Sequence, residues 1–116
     1  MTEIAIEELA ARLGEVLVLD VRTPGEYDGS AGSACDPRQG HIPGARNIDV
    51  YRLLGLSLDE LRAELPVDEG VEVVAYCHSG SRSDLATQAL LAHGYAARNY
   101  VGSWHEWSRR ADLPVE

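Results

Sequence analysis

Two apolar runs constrain this chain more than any other feature. One is Val16-Leu17-Val18-Leu19 leading into Asp20-Val21, and the other is Val71-Glu72-Val73-Val74-Ala75-Tyr76. A strand with one face in water alternates apolar and polar residues, so a nearly uninterrupted apolar run describes a strand covered on both faces. Around these runs the spacing becomes helical, and strands alternating with helices predict an α/β domain built on a parallel sheet. With 116 residues and 45% hydrophobic side chains, the chain is expected to form one domain across residues 1–116.

The remaining segments are read from periodicity and punctuation. Residues 7–13 place acidic side chains first, a Leu9/Leu13 stripe and Gly14 as a stop, which predicts a short helix. Pro24 and Gly25 are expected to break the chain, and residues 28–39 are small, polar and aperiodic, which predicts a long loop. A short strand is expected over 45–48, helical pieces over 50–54 and 58–65, and a helix over 84–92 closed by Gly94. A last strand over 97–101 and a last helix over 103–109 complete the pattern.

Charge narrows the function. Ten basic against nineteen acidic residues give a net charge of −9, a field that repels nucleic acid and anionic membrane surfaces, so neither is an expected partner. Every basic residue is an arginine, which excludes Schiff-base chemistry and a P-loop lysine. The stretch from Met1 to Glu8 is acidic where a secretory signal would be basic, and no apolar run reaches the ~18 residues of a membrane span, so a cytoplasmic location is expected. Cys35 and Cys77 stand 42 positions apart without a C-x-x-C pair, which fits neither a disulfide framework nor a zinc ribbon.

Chemistry concentrates where the second apolar run ends. Ligands of an open parallel sheet gather beyond the carboxyl ends of its strands, and Cys77 stands at such an end. The next residues, His78-Ser79-Gly80-Ser81-Arg82-Ser83, are small and polar around a glycine, so their amides can turn inward as an anion cradle at the start of the next helix. Making a thiol of ordinary pKa mostly thiolate at neutral pH requires a downward shift of about two units, or ~2.7 kcal/mol. A helix N-terminus supplies ~0.3–1 kcal/mol, up to ~2 kcal/mol when partly buried, and the cradle amides with the Arg82 guanidinium are expected to supply the rest. Against this stands the reading of Cys77 as a small buried residue that simply ends a strand.

These residues resemble the rhodanese-like sulfurtransferases. Asp20-Val21-Arg22 with Glu26-Tyr27, the stretch Gly40-His41-Ile42-Pro43-Gly44-Ala45-Arg46-Asn47-Ile48, the loop from Tyr76 to Ser83, Gly94-Tyr95 and the segment from Gly102 to Trp107 are similar to the family's segments in the family's order. The resemblance implies a three-layer α/β/α fold with a five-stranded, mainly parallel sheet. It also implies Cys77 as carrier of a persulfide, with the amides from His78 to Arg82 as its cradle. The implied partners are a small-molecule sulfur donor such as thiosulfate, a persulfide or a polysulfide, a thiol or cyanide acceptor, and a possible protein donor or acceptor, with no cofactor. Four residues separate Cys77 from Arg82, whereas the similar loops of cysteine phosphatases place five, and the tighter ring favours a single sulfur over a tetrahedral phosphate. His78 stands where many relatives have arginine, and the link between Tyr27 and Gly40, which carries Cys35, is longer than the family's usual one.

Other readings remain open. The chain is alternatively a non-catalytic rhodanese-like binding module, a cysteine phosphatase or an arsenate reductase. Arg22 is a candidate anion-binding residue of the active loop, with an ion pair to Asp20 or Glu26 as the alternative. Cys35 is read as a surface cysteine without a partner, the alternative being a resolving thiol. His41 is expected to be a structural hydrogen-bonder, and Trp104 and Trp107 core or pocket-rim packing. No spacing supports a metal site built from His41, His78 and the cysteines, so no metal is expected.

Overall fold

The computed structural model describes residues 2–116; Met1, where the acidic N-terminal stretch begins, lies outside the described residues. The elements run in the order α1 (Ile6–Ala11), β1 (Leu17–Asp20), α2 (Pro24–Asp28), β2 (Arg46–Asn47), α3 (Val50–Leu54), α4 (Leu58–Glu64), β3 (Val73–Tyr76), α5 (Ser81–Ala92), β4 (Ala97–Asn99) and α6 (Ser103–Trp107). All strand pairs are parallel in the order β2-β1-β3-β4.

The two apolar runs became the two central strands, and their alternation divides the interior into two cores. Leu19, Val21, Val73, Ala75 and Cys77 point to one face, under Leu53 of α3, Leu61 of α4 and Leu90 of α5. Val16, Val18, Val74 and Tyr76 point to the other, where Leu9 of α1 and Trp104 and Trp107 of α6 cover them. Side chains of successive strand residues leave on opposite faces, so a run apolar at every position needs a helical layer on each side. Leu9, Leu61 and Leu90 are fully buried, and burying each contributes about 1.5–3 kcal/mol toward docking its helix.

Two expectations are corrected. Among the described residues the sheet has four strands, not five: beyond β4 the pairing is reduced to a parallel bridge between Glu3 and Asn99, with the Ile4 N–H donating to the Asn99 carbonyl at 3.1 Å. The extended stretch cannot continue because α1 begins at Ile6. Pro24-Gly25 does not break the chain but opens α2, with Thr23 as its cap. The Thr23 hydroxyl accepts from the Glu26 amide, the Glu26 carboxylate accepts from the Thr23 amide, and a proline in the first turn sacrifices no helical hydrogen bond.

Beyond α2 the chain forms the expected long loop, and it is tied down. The Arg38 guanidinium donates to the carbonyls of Trp107, Ser108, Arg110 and Leu113, satisfying groups at and beyond the end of α6, while the Trp104 indole N–H donates to the Arg38 carbonyl at 3.1 Å. At the carboxyl edge of the sheet β1 and β3 end side by side, Asp20 opposite Tyr76, so the segments leaving both strands emerge together.

Candidate active site

Cys77 directly succeeds β3 and is 1% exposed. It belongs to the apolar core, yet its sulfur meets hydrogen-bond donors. The Gly80 N–H donates to Sγ at 3.0 Å and the Ser83 hydroxyl at 3.3 Å. Burial raises the thiol pKa, but the Ser83 hydroxyl and the amides of Ser83, Gly80 and Ser79 outweigh it, so the net shift is downward from the ordinary cysteine value. The cradle opens into α5, a twelve-residue helix whose N-cap is Gly80.

The loop needs glycine at position 80. Its φ is +101°, and a Cβ built there would lie 2.8 Å from the Val101 carbonyl oxygen. The Gly80 carbonyl is held by the Asn99 side-chain amide at 3.1 Å. Ser103 steadies the other flank: its hydroxyl accepts from the Cys77 amide at 3.1 Å and donates to the Tyr100 carbonyl at 2.8 Å. It does so from a left-handed backbone at φ 56°, the single non-glycine residue with positive φ among those described. The amides of Trp104 and His105 then donate to the carbonyls of Cys77 and His78, both at 2.9 Å. These bonds turn the loop's carbonyls toward α6 and leave amides for the sulfur.

The candidate residues do not all reach the sulfur. Arg82 turns away: its guanidinium forms a bidentate pair with Glu26 of α2, at 2.8 and 3.1 Å. Pairing with the nearby anion leaves Arg82 to act on Cys77 through its charge alone, and it closes the loop by tying it to α2. His78 points outward, its Nε2 3.0 Å from the Asp36 carboxylate. Among the described residues, neither His78, Ser81 nor Arg82 hydrogen-bonds Sγ, so the cradle is narrower than the full stretch from His78 to Arg82.

Arg22 is corrected more fully. Its guanidinium is buried in a bidentate pair with Asp20 and donates to the Gly40 carbonyl at 2.7 Å. It lies against the rings of Trp104 and Tyr76. Tyr76 completes this network, donating to Asp20 at 2.7 Å and accepting from the Ile42 amide. The ion pair, rather than the anion contact, is the one formed, because the Asp20 carboxylate is two residues away and equally buried. His41 is the structural hydrogen-bonder expected: its Nδ1 meets the Tyr27 carbonyl at 2.9 Å and its ring stacks on that of Tyr27. Both cysteines are free thiols, Cys35 exposed and Cys77 buried.

Residues 5–110 match the model of the rhodanese-like domain. This chain belongs to that family. The rhodanese-like chain is 36% identical over 121 residues to the thiosulfate sulfurtransferase of Pseudomonas aeruginosa, covering 95% of this chain and 44% of that protein. A crystal structure of a probable thiosulfate sulfurtransferase superposes with a TM-score of 0.85 at 41% identity, over 99% of this chain and 47% of the other. The human single-domain sulfurtransferase TSTD1 is similar in structure with a TM-score of 0.72 and 30% identity, over 97% of this chain and 99% of that one. The chain thus spans less than half the length of the first two and nearly the whole of the third. Asn99 and Ser103 are supporting residues that sequence reasoning does not single out, and Glu26 it names as a partner for Arg22 rather than for Arg82. The capping pattern Thr23-x-x-Glu26 was the available signal for Glu26, whereas nothing local marks Asn99 or Ser103.

Proposed function

We propose that this rhodanese-like domain is a sulfurtransferase that carries a sulfane sulfur on Cys77. The observation that carries the reading is the pairing of a depressed thiol, held by the Gly80 amide and the Ser83 hydroxyl, with an Arg82 engaged by Glu26. A thiolate stabilised by amides is a standing nucleophile that needs no separate base. Phosphoryl transfer, by contrast, requires cations on the phosphate oxygens, and the one arginine of the loop is already paired.

In the first step the thiolate Sγ attacks the outer sulfur of thiosulfate or of a persulfide or polysulfide. The new S–S bond forms as the donor's S–S bond breaks, and sulfite, a thiolate or the shortened polysulfide leaves with the electron pair. In the second, cyanide or an acceptor thiolate attacks the terminal sulfur of the Cys77 persulfide, yielding thiocyanate or a new persulfide and restoring the Cys77 thiolate. The two half-reactions give ping-pong kinetics. The amides of Ser79, Gly80 and Ser83, with the Ser83 hydroxyl, are the stabilising groups in this reading, and the partners are small sulfur donors and acceptors or a persulfide-bearing protein. Two free thiols favour a reducing compartment, the cytoplasm, as the setting of the reaction. Among the described residues no helix is long and apolar enough to cross a membrane.

Incubation with thiosulfate or polysulfide is expected to add about 32 Da to the intact protein, and Cys77→Ser to abolish the addition. An unchanged wild-type mass with every donor, or aryl-phosphate hydrolysis above a Cys77→Ser control, would overturn the reading.

A further inference from the structure

The long loop between α2 and β2 delivers one acidic side chain to the edge of the Cys77 loop. Asp36 has a side chain only 1% exposed, yet among the described residues Oδ2 has no hydrogen-bond partner. Oδ1 accepts from the Arg109 guanidinium at 3.0 Å, a contact that fixes the carboxylate's orientation. A buried carboxylate oxygen left unpartnered is costly. His78 Nε2 lies 3.0 Å from Oδ2 and 3.2 Å from Oδ1, so it contacts both oxygens of the carboxylate. On α6, His105 sets its ring edge-on to that of His78, with centroids 5.7 Å apart. One ligand atom from each of Asp36, His78 and His105 lies within 4.8 Å of the other two.

We propose that Asp36, His78 and His105 form a binding site for a borderline divalent cation of the zinc class. Two imidazole nitrogens and one carboxylate oxygen are the ligand set of an open zinc centre, with a fourth position left for water or an incoming ligand. Tetrahedral coordination at ordinary bond lengths sets ligand atoms about 3.4 Å apart, so the Asp36 to His78 spacing already fits. His105 closes the remainder by a side-chain rotation, which its exposed position permits. Arg109 supplies an outer-sphere donor to the ligating carboxylate. The loop is held in place for this by Arg38 on the carbonyls around the end of α6 and by Gln39 on the Ser33 carbonyl at 2.8 Å. Ligation joins three segments far apart in sequence. Because the His105 amide already holds the His78 carbonyl, a bound cation braces the residue next to Cys77 against α6.

Zinc titrated by calorimetry into wild type and into the Cys35→Ser/Cys77→Ser double variant is expected to bind with one equivalent in both. Cobalt in the double variant is expected to give a nitrogen and oxygen ligand field without a thiolate charge-transfer band. His105→Gln, at an exposed position, and Asp36→Asn are each expected to weaken zinc at least about tenfold. At equal zinc concentration the melting temperature of the double variant is expected to rise more than that of its His105→Gln derivative. Absence of saturable binding, binding undiminished in folded His105→Gln protein, or binding lost with the two thiols would each overturn the site.

Discussion

Replacing Ser83 by alanine tests the cradle with little disturbance to the fold, because the residue is fully buried and the change removes one oxygen. The Ser83 carbonyl still accepts from the Thr87 hydroxyl at 2.7 Å, and the Gly80 amide still reaches Sγ at 3.0 Å. A hydrogen bond to a charged group contributes about 1.5–3 kcal/mol. At 3.3 Å to sulfur the lower figure applies, which corresponds to a rise of about one pH unit in the thiol pKa. Well below both pKa values the thiolate fraction then falls about tenfold, while the more basic thiolate gains about threefold in nucleophilicity, for a net loss of roughly three- to fourfold in rate. Above both pKa values the order reverses, and the variant reacts about threefold faster. The pH profiles of iodoacetamide alkylation of wild type and Ser83→Ala in a Cys35→Ser background should therefore cross. Superimposable profiles, or a variant slower at every pH, would refute the assignment of Ser83 as a stabiliser of the thiolate.

Three further outcomes are expected from the same geometry. Gly80→Ala places a Cβ 2.8 Å from the Val101 carbonyl oxygen in a left-handed backbone, so a loss of more than about 1–2 kcal/mol in urea unfolding is expected, together with slower alkylation of Cys77. Asp20→Asn leaves the Arg22 guanidinium buried without its anion and is expected to cost about 3–5 kcal/mol; a melting temperature equal to wild type would contradict that. Glu26 is held down to about 2, first by Arg82, against an ordinary 4.5, so its ionised form stabilises the fold fully above the ordinary value and loses that contribution as pH falls toward 2. The gap in urea midpoint between wild type and Glu26→Gln is accordingly expected to be widest near neutrality and to shrink in acid, and a gap independent of pH would exclude the pair as its source.

Legibility in the sequence tracked the range of the interaction concerned. The helices over 50–54 and 58–65 and the strand ending at Tyr76 were readable because caps, stops and apolar period act within a few residues. Pro24-Gly25 misleads because two local signals conflict there, since proline opens a helix as readily as it ends one and only the Thr23 cap decides which. Among the described residues the fifth strand is reduced to a single bridge, between Glu3 and Asn99, a pairing of opposite ends of the chain that no local signal reports.

At the site the same division holds. Cys77 at a strand's carboxyl end, Gly80 with its demand for positive φ, and a helix beginning just beyond them are properties of adjacent residues, and the amino-acid order determined them. Which donors meet the sulfur, that Arg82 pairs with Glu26, that Arg22 pairs with Asp20, and that Asp36 stands beside His78 and His105 were decided only by the folded chain. A charged side chain takes the nearest complementary group that burial makes available, and that group is set by how the helices and loops close over the sheet.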